Sequence, residues 1–262
     1  MRIRRVRPGS LVAVLSVVGA LVAMTGQVAV ATNDHPTAPG VVRNATWYLR
    51  NTTTSGVADL VFGYGNAGDL PVTGDWDRNR YATPGVVRNG VWYLRNTTTS
   101  GVADITFAYG NAGDTPITGD WDGDGLDTPG VVRNGVWYLR NSLSAGVADV
   151  MFGYGNSGDK PVTGDWNLSG LDSKDTPGVV RNGIWYLRDS NTGGVADRTF
   201  GYGNSGDTPI ASDWDGDGVD TPGVVRNGIW YVRESNTGGV ADITFGYGDS
   251  GDQVVTWTPF LG

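Results

Sequence analysis

Short runs of β-branched and aromatic residues alternate along the chain with clusters of glycine, proline, asparagine and aspartate. No segment has the periodicity of an amphipathic helix, so the pattern predicts strands separated by turns. The Asn134-Gly135 pair favours a two-residue type I′ hairpin, because both residues tolerate positive φ angles. In this part of the chain the predicted strands are Pro116 to Trp121, Pro129 to Arg133, Val136 to Arg140 and Asp149 to Tyr154.

The same pattern of strands and turns occurs five times. A Trp-Tyr segment marks each copy, and its tryptophans are 45, 45, 48 and 45 residues apart, at Trp47, Trp92, Trp137, Trp185 and Trp230. Four strands in about 45 residues are typical of a β-propeller blade. Both faces of a blade are covered, so we expect Trp137 and Leu139 on one covered face and Val136 and Tyr138 on the other.

The two ends of the repeat region complement each other. Residues 38–42 match the second strand of a unit, and Val254 to Trp257 match a first strand. Pairing them would complete one blade and remove an open sheet edge. We therefore predict that residues 38–262 form a single all-β domain, a five-bladed β-propeller closed by the C-terminal strand joining the N-terminal blade.

The first residues have the features of an export signal. An apolar segment from Leu11 to Met24 precedes the small-residue triplet Ala29-Val30-Ala31. A basic region comes before both, with Arg2, Arg4, Arg5 and Arg7. The pattern predicts a secretory signal peptide at 1–31, a flexible mature N-terminus at 32–37 and a secreted protein with no membrane span after cleavage. The alternative is an uncleaved membrane anchor.

Charge and cysteine content narrow the possible partners. Without residues 1–31 the chain has 15 basic and 27 acidic residues, a net charge of −12. Such a surface disfavours nucleic acid and attracts cations. The chain contains no cysteine, so an exported form has no disulfides and depends on packing, hydrogen bonds or metal.

Two loops combine alternating aspartates with glycines. In the first, Gly123 and Gly125 let the backbone bend so that the carboxylates of Asp120, Asp122 and Asp124 converge. The second loop repeats the arrangement with Asp213, Asp215 and Asp217. Hard oxygen ligands in a flexible loop suit Ca²⁺. The alternative is a solvated Asp/Gly turn that binds no metal.

At these loops the chain resembles the FG-GAP or VCBS-type repeats of integrin-like propellers. Their calcium loop, Asp-x-Asp/Asn-x-Asp-Gly-x-x-Asp, lies between the first two strands of a blade. Its closing acid would fall on Thr128 and Thr221, whereas the acid here is one residue earlier. The resemblance implies that the candidate calcium ligands are Asp120, Asp122, Asp124, Asp127, Asp213, Asp215, Asp217 and Asp220.

The two remaining loops depart further from this pattern. The loop after Asp75 contains Arg78 and Arg80, whose positive charges oppose metal binding, so we predict none there. The loop after Asp165 retains Asn167 and Ser169 and is a weaker candidate.

The chain offers few groups for catalysis. It has no cysteine and a single histidine, His35, in the predicted flexible segment. Nearly every aspartate recurs at a turn in each unit, as a structural residue does, whereas a catalytic pair would break the repeat. We therefore expect a protein that is not an enzyme.

A Gly-Tyr-Gly-Asn loop recurs between units, and we expect it on the same end of the propeller as the Asn-Gly hairpins. Its aromatic and polar groups are of the kind that bind sugars. The alternative is a tight turn whose tyrosine packs between blades. The candidate ligand-binding residues are Tyr64, Asn66, Tyr109, Asn111, Tyr154, Asn156, Tyr202, Asn204, Tyr247 and Asp249.

In unit length and blade number the chain is also similar to five-bladed, tachylectin-type sugar-binding propellers. Two hypotheses follow. The first is a secreted, calcium-stabilised, multivalent carbohydrate-binding protein that binds glycans. The second is a calcium-binding adhesion or scaffold module that binds cell-surface proteins. We expect a monomer in either case.

Overall fold

The protein is described by a computed structural model that covers residues 36–167 and 174–260. All regular secondary structure in these residues is β-strand, arranged in five four-stranded antiparallel sheets. The sheets are the blades of a five-bladed β-propeller, which confirms the predicted fold. The predicted signal peptide at 1–31 and residues 32–35 of the predicted flexible segment lie outside the described residues.

Each blade contains four strands. Blade 1 consists of β1 (Ala38–Arg43), β2 (Thr46–Leu49), β3 (Leu60–Gly63) and β20 (Gln253–Trp257). Blade 2 consists of β4 (Leu70–Gly74), β5 (Thr83–Arg88), β6 (Val91–Leu94) and β7 (Ile105–Ala108). Blade 3 consists of β8 (Thr115–Gly119), β9 (Thr128–Arg133), β10 (Val136–Leu139) and β11 (Val150–Gly153). Blade 4 consists of β12 (Lys160–Gly164), β13 (Thr176–Arg181), β14 (Ile184–Leu187) and β15 (Arg198–Gly201). Blade 5 consists of β16 (Thr208–Ser212), β17 (Thr221–Arg226), β18 (Ile229–Val232) and β19 (Ile243–Gly246).

The predicted strands of blade 3 agree with β8 to β11 to within two residues at each end. The turn between β9 and β10 has φ angles of 51° at Asn134 and 77° at Gly135. Positive φ at both central residues is the requirement of a type I′ turn. The local sequence signals for strands and hairpins are therefore confirmed.

The core lies within and between the blades. Trp137 and Leu139 are fully buried, whereas Val136 and Tyr138 are half-buried on the other face. The Trp137 Nε1 donates to the carbonyl of Tyr154 at 3.0 Å. The same cluster includes Val179 of blade 4, so each blade buries apolar surface against the next.

The inner strands, β20, β4, β8, β12 and β16, lie side by side around a central channel. Two ends of the propeller can be distinguished. The hairpin face carries the Asn-Gly hairpins and the Gly-Tyr-Gly-Asn loops. The Asp-loop face carries the loops between the first and second strands of blades 2, 3 and 5, and the described ends of that loop in blade 4.

The ring closes through a composite blade. β20 pairs antiparallel with β1, in a register that sets Ala38 opposite Trp257 and Val42 opposite Gln253. The Trp257 Nε1 donates to the carbonyl of Arg50 at 2.7 Å. The predicted closure by the C-terminal strand is confirmed.

Candidate calcium loops and interblade clefts

The loop between β8 and β9 is organised by the carboxylate of Asp120. One carboxylate oxygen accepts from the amides of Gly123 and Asp124 at 2.8 and 3.1 Å, and the other accepts from Gly125 at 2.7 Å. Gly123 and Gly125 have φ angles of 77° and 82°, which direct these amides toward the carboxylate. Buried Trp121 fixes the loop to the blade. The backbone alone therefore holds Asp120 in place.

Three carboxylates converge in each of the two Asp-rich loops. Asp120, Asp122 and Asp124 each offer an oxygen, and these oxygens lie within 4.8 Å of one another. Asp213, Asp215 and Asp217 form an equivalent group in blade 5. The first aspartate of each group is at least partly buried and the other two are exposed. Calcium takes six to eight oxygen ligands, so three carboxylates with carbonyl or water oxygens fit the ion.

Burial makes these groups receptive to a cation. Burial raises the pKa of Asp213 to about 6, with repulsion from Asp217 and Asp215 adding to the shift and amides of the loop opposing it. Burial likewise raises the pKa of Asp120. A bound cation would offset the cost of the buried charge and lower both values.

The fourth carboxylate of each predicted set points away from its loop. The Asp127 Oδ2 accepts from the amide of Asp75 in the preceding blade at 2.7 Å, and the Asp127 amide donates to the Asp75 carbonyl. Asp220 makes the same pair of bonds with Asp165. The structure thus brings together three of the four aspartates predicted for each loop and uses the fourth to join blades.

Asp175 joins blades in the same way as Asp127 and Asp220, a role that was not predicted from the sequence. Its Oδ2 accepts from the Asp120 amide at 2.8 Å. The side chains of Asp127, Asp175 and Asp220 line a widening of the channel with a volume of about 200 Å³. Burial, then charge repulsion among the carboxylates, raises the pKa of Asp127 to about 7, that of Asp220 to about 8 and that of Asp175 well above its ordinary value. An Asp-Thr-Pro triplet begins one residue before β9, β13 and β17, and it is the sequence signal that these three aspartates share.

The loop between β4 and β5 has the same shape without glycine. The Asp75 carboxylate accepts from the amides of Asn79 and Arg80 at 3.0 and 2.6 Å. Arg78 and Arg80 take the positions of Gly123 and Gly125, with φ angles of 63° and 70°. In blade 4, the predicted ligands Asp165 and Asn167 are described, whereas Ser169 lies outside the described residues.

On the hairpin face, the tyrosines of the Gly-Tyr-Gly-Asn loops are buried. Their exposed fractions are 5 to 6%, and burial raises the pKa of each to about 12. These residues are Tyr64, Tyr109, Tyr154, Tyr202 and Tyr247. Most of each ring packs between blades and offers little surface to a sugar, although Tyr154 also lines a cleft between blades 3 and 4. Their loop partners are exposed, at Asn66, Asn111, Asn156, Asn204 and Asp249.

The hairpin face instead presents an arginine in each blade. The Arg133 Nε and one terminal nitrogen donate to both carboxylate oxygens of Asp114 at 2.6 and 2.7 Å. The guanidinium also lies over the Tyr138 ring, 5.1 Å from its centroid. Burial alone would raise the pKa of Asp114, but the bonds from Arg133 and the Asn111 amide lower it. The other arginine–aspartate pairs are Arg43–Asp252, Arg88–Asp69, Arg181–Asp159 and Arg226–Asp207.

A cleft of about 210 Å³ lies between blades 3 and 4 on this face. Its polar lining includes Arg133, Asn134, Asn156, Ser157 and Thr115. Asn156 was predicted from the sequence as a ligand-binding residue, whereas Arg133 was not. Two recurring features of the sequence could have indicated this pair. An arginine precedes every hairpin turn, and the aspartate that pairs with it follows a glycine in every unit.

Fold and sites together define the class of the protein as a five-bladed β-propeller with a repeated arginine–aspartate pair, a polar cleft between blades 3 and 4 and two Asp-rich loops. A scan against protein-family models and a search of curated proteins find no match to the chain. Among the described residues, no helix is long and apolar enough to cross a membrane.

Proposed function

We propose that this propeller is a secreted, non-catalytic, calcium-stabilised and multivalent carbohydrate-binding protein. The observation that carries the proposal is the polar cleft between blades on the hairpin face, where an arginine fixed by an aspartate lies beside exposed asparagines. Sugar hydroxyls need donors and acceptors at fixed positions. A side chain already held in place loses little conformational entropy when it binds.

The fivefold repetition of these groups supports binding to clustered glycans. Each blade supplies an arginine–aspartate pair stacked on a tyrosine, and four of the five adjoining loops carry an exposed asparagine. One shallow site binds a sugar weakly. Several identical sites on a rigid ring gain avidity, which exceeds the single-site affinity by about 10²–10⁴ when the geometry allows simultaneous contact.

A glycan array tests the proposal, run with the mature protein in excess calcium. The test variant replaces Asn66, Asn111, Asn156, Asn204 and Asp249 with alanine. Loss of the exposed amides and carboxylate should lower the affinity for a clustered glycan by about 100-fold or more.

The matched control also changes one exposed residue in each blade. In this control, alanine replaces a valine in the loop between β2 and β3 and its equivalent in each other blade. These valines are 82 to 84% exposed: Val57, Val102, Val147, Val195 and Val240. Binding should be unchanged in this variant. Retained folding without binding to any glycan on a broad array would refute the carbohydrate proposal.

Calcium is proposed to stabilise the native state through the two Asp-rich loops. The support is the convergence of three carboxylates in each loop. A ligand that binds only the folded form raises the free energy of unfolding as its concentration exceeds Kd. Thermal unfolding in excess calcium and in chelator should therefore give a higher Tm with calcium.

Substitution of one carboxylate in each Asp-rich loop tests whether these loops cause the calcium-dependent rise in Tm. Asp122→Ala combined with Asp215→Ala should remove most of the calcium-dependent rise in Tm. Asp77→Ala, the equivalent change in the arginine-containing loop, should leave it intact. An unchanged calcium response in the double variant would show that these loops do not bind the ion.

The second candidate function is a calcium-binding adhesion or scaffold module that binds cell-surface proteins. The observation that favours it is the acidic Asp-loop face, where Asp122, Asp124, Asp215 and Asp217 are exposed. Cell-surface binding that the same four aspartates control, with no binding on the glycan array, would favour this function over the first.

A further inference from the structure

The arginine at position 78 occupies an unusual backbone position. It has a φ angle of 63°, in the left-handed region where the equivalent residues of blades 3 and 5 are Gly123 and Gly216. A side chain is disfavoured in this conformation because Cβ crowds the backbone. The loop therefore keeps its shape at a conformational cost that glycine would not incur.

The side chain of Arg78 reaches across the blade boundary. Its guanidinium pairs with the carboxylate of Asp124, the outermost aspartate of the Asp120–Asp124 group in blade 3. Both side chains are about half exposed, at 53% and 40%. Among the described residues, we find no ion pair of Asp217, the equivalent aspartate in blade 5. The two Asp-rich loops thus differ in the positive charge that they already hold.

We propose that Arg78 is the built-in counter-cation of the Asp120–Asp124 group, in place of the calcium ion that the Asp213–Asp217 group binds. This inference rests on the calcium part of the proposed function. The guanidinium neutralises the Asp124 carboxylate by an ion pair and repels a second cation. The blade 3 loop therefore binds calcium weakly while Arg78 is present. The blade 5 loop is then responsible for the calcium response of the native protein.

The chain supplies a closely matched pair of variants. Arg78→Gly and Arg80→Gly each remove one positive charge and relieve one left-handed side chain in the same loop. Of these two arginines, Arg78 is the one that forms an ion pair with Asp124. Isothermal titration with calcium alone at low ionic strength should show an additional or about tenfold tighter binding step in Arg78→Gly, because one more carboxylate becomes free for the metal. Arg80→Gly should bind as the parent does.

Asp124→Asn combined with Arg78→Gly should lose the gained step. A second readout needs no metal: in chelator, the difference in Tm between Arg78→Gly and Arg80→Gly should disappear when Asp124 is asparagine, as expected for a direct pair.

The outcomes separate this inference from the calcium proposal. Equal calcium binding by Arg78→Gly and Arg80→Gly overturns the inference, and it overturns the calcium proposal as well only if the parent binds none. A gain in Arg78→Gly that depends on Asp124 supports the inference. If that gain occurs although the parent binds no calcium, the inference stands and the assignment of calcium to the blade 5 loop fails.

Discussion

Replacement of Asp127 with asparagine should reduce the loss of stability of the propeller at alkaline pH. The carboxyl is half-buried beside the channel, where burial and repulsion from Asp75 and Asp120 raise its pKa to about 7. In the unfolded chain an aspartate has a pKa of about 3.9. The folded state therefore holds this proton more tightly than the unfolded state does.

The sign of the effect follows from this difference. The stabilising contribution is fully present below about pH 4 and is lost as pH rises through about 7. A shift of about three pKa units corresponds to about 4 kcal/mol. Because Asp127 is only partly buried and its side chain lines the channel, we take half of this value, about 2 kcal/mol, which is about 4–8 °C in Tm for a chain of this size.

Asparagine retains an oxygen that can accept from the Asp75 amide but carries no charge. Thermal unfolding in chelator at pH 5 and pH 9 should therefore show a smaller decrease in Tm for Asp127→Asn than for the parent. The control is Asp104→Asn, because this exposed carboxylate also accepts from one amide, that of Asn96, at 2.9 Å. An equal decrease in the parent and in Asp127→Asn would refute the reasoning.

Three further substitutions test the fold by thermal or chemical unfolding. Ala45→Gly should raise the free energy of unfolding by about 0.5–1 kcal/mol, because Ala45 has a φ angle of 63° where other blades have glycine; an unchanged free energy would contradict the assigned turn. Leu139→Ala should cost about 2–5 kcal/mol and Val147→Ala less than about 0.5, because Leu139 is fully buried and Val147 is 83% exposed. Trp257→Ala should cost about 3–5 kcal/mol and increase amide exchange in β1, whereas unchanged exchange would argue against closure by β20.

The strand order and the blade count could be predicted because their signals are local. Each Asn-Gly pair specifies its own hairpin, and each buried tryptophan marks its own unit. Closure followed from the absence of a first strand at one end and the presence of an extra one at the other. These features depend on contacts within a single repeat or on the number of repeats.

The role of Asp127 could not be predicted in this way. Its partner, Asp75, lies 52 positions earlier in the preceding blade. Neither the loop motif nor the resemblance to calcium-loop repeats contains information on which neighbour the side chain faces. The same limit explains why the pairing of Arg78 with Asp124, 46 positions apart, was missed although the charge of Arg78 was recognised as opposing metal.

The exposed groups of the hairpin face were predicted only in part. Tyr154 and Asn156 were predicted to act together in one loop, but Tyr154 is buried whereas Asn156 is exposed. The angle at which blades pack determines which side chain enters the interface, and the periodicity of a single strand does not specify that angle.

The pairing of β1 with β20 also determines how the ring would respond to mechanical load. Because Ala38 lies opposite Trp257, the chain enters β1 and leaves β20 at the same end of the ladder. Tension between tethers at Thr37 and Thr258 would act on that end first and break the hydrogen-bonded pairs one after another. In a sheared ladder the pairs would resist together. The closing seam is therefore oriented to unzip, and a stretched molecule would open at blade 1 while the other four blades kept all their strands.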